Sequence, residues 1–221
     1  MVAGLMSLLK HLKAFPAVRA VIAVNVAVFL AWQVGFMAPD FGTWLYFHGT
    51  LSLAHLQEGH VWTTLTSAFS HMEFWHLLLN MFVLFNFGAI MELSWGWRRF
   101  LVFYLGACLV SGLMHVAFSL FGWPDDPGLG ASGAVSAVLI AFVFLYPRHK
   151  LLLFMVVPLP AWVAAVLLVG VDLWGLVSQR DGGGLPIGHG AHLGGALFGI
   201  VWSLASWNRR ARDTLPLRTR P

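Results

Sequence analysis

The sequence predicts an all-α polytopic membrane protein with six transmembrane helices. Three observations carry this. Of the 221 residues, 59% are hydrophobic and only 10% are charged, against about a quarter charged in soluble domains. Apolar runs of about 20 residues recur along the chain, each enough to cross about 30 Å of hydrocarbon. These runs lack the strict alternation of a membrane barrel strand, and backbone amides in lipid must be satisfied within the segment, which leaves helices.

The spans are expected at 17–37, 74–93, 99–121, 131–147, 151–176 and 190–207, within one membrane domain, 17–207. Residues 1–16 are an interfacial N-terminus on the cytoplasmic side, where Met1–Leu9 is too short to span and has no charged leader, so no cleaved signal peptide is expected. Residues 208–221 are a basic cytoplasmic tail that lies against anionic headgroups. Six spans put Lys10, Lys13, Arg19, Arg98, Arg99, Arg148, Lys150 and the tail arginines on one side. The opposite loops hold Asp40, Glu58, Glu73, Asp125, Asp126 and Asp181, with Arg180 as their single cation. By the positive-inside rule both termini are cytoplasmic. This asymmetry accounts for the net charge of +4 without nucleic acid as a partner. The lack of long soluble domains and of eukaryotic targeting signals leads to the expectation of a bacterial inner membrane. Cys108, the single cysteine, excludes an intrachain disulfide and a thiolate zinc cluster and reads as an inert buried thiol.

Spans two, four and six all begin on the outer side, and there the polar residues gather. His76 and Asn80 stand at i and i+4 on one face of span two. Gly130, Ala131, Ser132 and Gly133 open span four, and Gly188, His189, Gly190, Ala191 and His192 open span six. Ionisable groups in spans are rare and usually functional. Span four is about 16 residues, a rise of about 24 Å, shorter than the hydrocarbon core. Its first turn therefore sits below the outer surface, reached by the Pro- and Gly-rich loop from Trp123 to Gly130 and opening on a wet pocket.

A serine at a helix N-terminus has unpaired amides and a dipole that favour an anion, so the backbone of Gly130 and Ala131 beside Ser132 is a candidate oxyanion and substrate site. Serine needs an adjacent base, and His192 is the candidate. Ala191, Gly195 and Gly199 recur every four residues and let span six approach span four at Gly133. With no acidic residue expected at that depth, the catalytic pair is Ser132 and His192 without an orienting carboxylate. His76 and Asn80 are candidate side-chain donors to the oxyanion.

Together these residues resemble the rhomboid family of intramembrane serine proteases, in its six-helix core type. The resemblance runs from about Ala17 to Ser206. It rests on H-x-x-x-x-H-x-x-x-N at His71, His76 and Asn80, G-x-S-G at Gly130 to Gly133, and A-H-x-x-G-x-x-x-G at Ala191, His192, Gly195 and Gly199. It implies a six-helix rhomboid-like bundle, a Ser132 and His192 dyad acting through an acyl-enzyme, His76 and Asn80 at the oxyanion, no cofactor, and transmembrane proteins in the bilayer as substrates. It also implies a membrane-embedded loop 1 at residues 38–73, in keeping with the apolar, Lys-free run of Trp44, Leu45, Tyr46, Phe47, Leu51, Leu53 and Leu56. Glu92 matches a structural glutamate of the family. The sequence departs from the family at Thr63, where an arginine often follows the loop 1 tryptophan. It departs again at Ser136, where many members carry an aromatic that stacks on the histidine, and this leaves the orientation of His192 open.

The remaining polar and aromatic residues have plainer readings. Trp62, Glu92, Asp172 and the span six glycines read as structural, His48, His55 and His60 as loop or interface residues, and His189 as a rim residue. A metal at His71, His76, His189 and His192 is not expected, because Asp40, Glu58 and Asp181 have no ligand-like spacing to those imidazoles. The alternative function is a catalytically silent rhomboid-like binder of transmembrane clients. A small transporter needs broken mid-membrane helices, and the Pro158 and Pro160 pair, expected as a bend in helix five, offers the only one. The oligomeric state is not legible in the sequence.

Overall fold

The structure, a computed structural model, describes residues 15–153, 157–183, 185 and 187–206. The interfacial turn expected at Met1–Leu9 and the basic tail lie outside the described residues.

Helix α1 runs Pro16–Gly35. Proline at its start suits a position whose N–H needs no helical partner. Its N-cap, Phe15, offers no side-chain acceptor. The orphan amides are met from elsewhere: Glu92 accepts from Ala17 N at 2.9 Å and from Val18 N at 2.8 Å. The glutamate read as structural therefore caps a helix some seventy residues distant in sequence, and its negative charge meets the positive end of the helix dipole.

Loop 1 folds into α2 (Pro39–Gly49), α3 (Leu53–Gln57), α4 (Thr63–Thr66) and a 3-10 turn, Ser67–Phe69. Phe41, Trp44, Val61 and Trp62 stay exposed, an apolar face suited to lipid. Trp44 stacks on His48 and His48 on Trp62, at centroid separations of 4.5 and 5.4 Å. Thr63 Oγ1 donates back to His60 O at 2.6 Å. The loop is thus held by a ring stack and local hydrogen bonds at the place where the family often has arginine.

Helix α5 (Phe74–Trp95) carries a π-helical turn at Leu84–Gly88, and α6 (Trp97–Leu120) follows after Gly96. α7 is Ser132–Leu145, α8 Ala161–Arg180 and α9 His189–Ala205. α1, α5, α6 and α8 are each long and apolar enough to cross a membrane. α7 is a shorter apolar helix of 14 residues, as its expected depth requires. The protein is a mostly helical polytopic bundle whose core is built on Phe100, Phe103 and Tyr104 of α6, Phe142 of α7, and Leu84 and Met91 of α5.

The fifth span begins ten residues later than expected. In its place two strands, β1 (Lys150–Leu153) and β2 (Val157–Pro160), pair antiparallel, Lys150 with Pro160 and Leu153 with Val157. Pro158 and Pro160 explain the difference. Proline lacks the donor a helix interior needs and clashes with the preceding turn, whereas it is tolerated at an edge strand and just outside a helix start. The two prolines therefore do not bend a helix. They delay one, and the bend expected at this pair is not seen among the described residues.

Candidate active site

Ser132 is the first residue of α7, so its N–H has no acceptor within the helix. It is delivered by Gly130, whose φ of 116° lies in the left-handed region. A Cβ there would also fall 2.6 Å from His76 Cε1, so glycine is required on both backbone and packing grounds. The preceding loop is stitched to loop 1. Leu51 and Gly128 exchange backbone hydrogen bonds of 2.9 and 2.8 Å, Gly130 N donates to Ser67 O at 2.9 Å, and the Asp125 carboxylate accepts from Leu53 N and Ala54 N. Burial pushes the Asp125 carboxyl up, but those two amides, with Ser119 and His115, outweigh it and hold the group below its ordinary value.

α9 approaches α7 closely, as the glycine spacing predicts. Gly195 sits on the carbonyl of Gly133 with no room for a Cβ, and a Cβ on Gly199 would lie 2.7 Å from Ala137 O. This contact brings His192 Nε2 to 2.8 Å from Ser132 Oγ.

The expectation of a pair without a carboxylate is corrected here. His192 Nδ1 lies 2.9 Å from Asp172 Oδ1, and His189 Nδ1 lies 2.8 Å from the same oxygen. With Asp172 ionised, its oxygen could only accept, so the Nδ1 atoms would be the donors and His192 Nε2 would keep a lone pair for the Ser132 hydroxyl. Asp172, read from the sequence as structural, stands on α8 at a depth where no acid was expected beside His192. The signal was present, since an acid inside an apolar span is itself unusual. His189 is likewise not at the rim: its side chain is 1% exposed and that of Asp172 5%.

The four oxyanion candidates fare differently. His76 lines a cavity of about 850 Å³ together with Ser132, His192, His189 and Gly130. Asn80 is buried, is not among the lining residues, and spends one amide hydrogen on His76 O at 2.9 Å. Gly130 N–H is committed to Ser67 O, and Ala131 N–H points at His71 Nε2 at 3.4 Å. Burial, reinforced by the neighbouring His76, lowers the His71 imidazole to about 3, which keeps it neutral and able to accept. His115, which sequence reasoning did not single out, also lines the cavity and donates from Nε2 to Asp126 O at 3.0 Å.

Asp172, rather than Asp40, Glu58 or Asp181, places a carboxylate among imidazoles. Asp172, His189 and His192 offer ligand atoms within 4.8 Å of one another, a donor set compatible with a divalent cation. Hydrogen bonding alone already engages Oδ1 with both Nδ1–H groups.

Residues 58–209 match the Rhomboid domain family. The chain is 33% identical over 204 residues to the RHOMBOID-like protein 12, mitochondrial, of Arabidopsis thaliana, covering 84% of this chain and 57% of that protein. It is 35% identical over 197 residues to the Rhomboid protein 1, mitochondrial, of Saccharomyces cerevisiae, covering 84% and 51%. It is 31% identical over 188 residues to the human Presenilin-associated rhomboid-like protein, mitochondrial, covering 83% and 46%. The chain belongs to the rhomboid family, whose members are generally intramembrane serine proteases. It spans about half the length of these relatives.

The expected location, a bacterial inner membrane with cytoplasmic termini, is corrected by these matches, because these relatives are named as mitochondrial proteins. A bacterial membrane was expected from the absence of a targeting segment. In a chain that spans about half of its relatives, such an absence carries no information about compartment.

Proposed function

We propose that this chain, with 17–207 as its membrane domain, is an intramembrane serine endopeptidase that cuts transmembrane segments of other membrane proteins. Ser132 is the nucleophile and His192 the general base. The observation that carries the reading is the 2.8 Å contact between His192 Nε2 and Ser132 Oγ at the wall of the cavity in a rhomboid-family bundle. A mitochondrial membrane, the compartment in the relatives' names, is the location that follows.

A substrate helix enters laterally past α8, the least buried of the four long spans at 22%, and unwinds into the cavity. Ser132 Oγ attacks the scissile carbonyl while its proton passes to His192 Nε2. The oxyanion is met by His76 and the free amide of Ser132, with the second amide hydrogen of Asn80 available after side-chain rotation. Gly130 and Ala131 shape the turn, their own N–H groups being directed elsewhere. The tetrahedral intermediate collapses, the leaving amine takes the proton from His192, and water, deprotonated by the same ring, hydrolyses the acyl-enzyme.

The test is labelling of the purified protein with a fluorophosphonate, which reports an activated serine without knowledge of the substrate, followed by cleavage of a transmembrane reporter in proteoliposomes. Wild type is expected to label and cleave, and Ser132→Ala and His192→Ala to do neither. A folded wild type that stays unlabelled would leave client binding without cleavage as the better account.

A further inference from the structure

We propose that Asp172 is a positioning residue that fixes the tautomer and direction of His192, and that His189 locks Asp172 in place. This rests on the protease reading and deepens it. A histidine base has two neutral tautomers, and only the one protonated at Nδ1 presents a lone pair to serine from Nε2. Something must therefore hold Nδ1–H. The hydrogen bonds of the described residues give His192 Nδ1 one partner, Asp172 Oδ1 at 2.9 Å.

Ring packing does not supply the orientation. Ser136, one turn beyond Ser132, is buried and has no face to stack on an imidazole. Among the described residues, the ring beside His192 is that of His189, edge-on at 6.3 Å with an interplanar angle of 80°. A carboxylate reached across from α8 does the work that a stacked aromatic does in other members.

The carboxylate is itself held. His189 stands one turn before His192 on α9 and donates to the same oxygen at 2.8 Å. Its ring fills a notch in α8 at Gly175, one turn beyond Asp172, where any Cβ would overlap the imidazole. Asp172 and Gly175 thus form a socket on α8, and His189 is the plug from α9. The socket is nearly dry, so the carboxylate faces the proton that His192 gains during attack through a medium of low polarity, where charge stabilisation is strongest.

Two measurements on the full chain in detergent test this. The ¹⁵N shifts of His192 in the wild type report the tautomer, and protonation at Nδ1 is expected. In Asp172→Asn, the amide can donate to Nδ1 and trap the opposite tautomer. Phosphonylation of Ser132 and kcat on a transmembrane reporter should then fall by about 100- to 10,000-fold, with KM and Tm little changed. Gly175→Ala, which retains all three polar residues but displaces the His189 ring, should lower the labelling rate by about tenfold. A wild-type His192 protonated at Nε2, or an Asp172→Asn variant that labels at the wild-type rate, would overturn the proposal. If Asp172→Asn fails to fold, the wild-type tautomer decides. A wild type that never labels sinks the protease reading instead, and the two failures are therefore distinct.

Discussion

Glu92 and Asp172 are both buried acids in a chain that is mostly hydrocarbon, and they do different things. Glu92, toward the far end of α5 from His76, gives both oxygens to backbone amides at the start of α1. Asp172 gives one oxygen to two imidazoles, one of which touches a serine. A buried carboxylate must be compensated, and the partner that compensates it decides its role. Amides do not change protonation, so Glu92 fastens two helices. Imidazoles do, so Asp172 is coupled to any proton that His192 takes up.

The contrast can be broken first at the reacting pair. Ser132→Ala or His192→Ala should lower reporter cleavage by at least about 10,000-fold while leaving Tm within a few degrees. A matching loss of Tm would mean that the pair is a fastening like Glu92. Next, Glu92→Ala should cost about 1.5–3 kcal/mol of stability, as expected for hydrogen bonds to a charged group, with the labelling rate per folded molecule unchanged. A rate loss without a stability loss would erase the distinction.

Two further tests concern the loop that positions the site, and both follow from linkage. His71 is neutral in the fold because burial lowers it to about 3 from an ordinary 6.5. Between these values the unfolded chain binds a proton that the folded chain does not. Stability should therefore decline as pH falls from about 6.5 toward 3, and His71→Gln should flatten that part of a Tm-against-pH curve. Asp125 is held below its ordinary value by the amides of Leu53 and Ala54. Its contribution is present above the ordinary carboxylate range and is lost as pH falls through the lowered value. Because the group is largely exposed, Asp125→Asn should cost less than about 1 kcal/mol, visible as a small drop in Tm at neutral pH that vanishes in acid.

Much of the architecture was legible because hydrophobic length and small-residue spacing are local properties. The first four spans and the sixth fall within a few residues of expectation, and the Gly195 and Gly199 rhythm on α9 meets Gly133 and Ala137 of α7 as small-residue packing requires. The fifth span was misplaced because its leading segment is as apolar as a helix, and the decisive feature, two prolines that cannot donate, was read as a bend.

By itself the sequence determined the bundle, the short α7, and the meeting of Ser132 with His192, since each follows from periodicity, length and residue size along one helix or between two. Only the tertiary structure decided where Asp172 and His189 point, and that the amides of Gly130 and Ala131 are directed at Ser67 and His71. The reason is rotational. A linear pattern gives the depth of a residue in the membrane, but the facing of α8 toward α9 depends on how that helix turns about its axis when Gly175 receives the ring of His189.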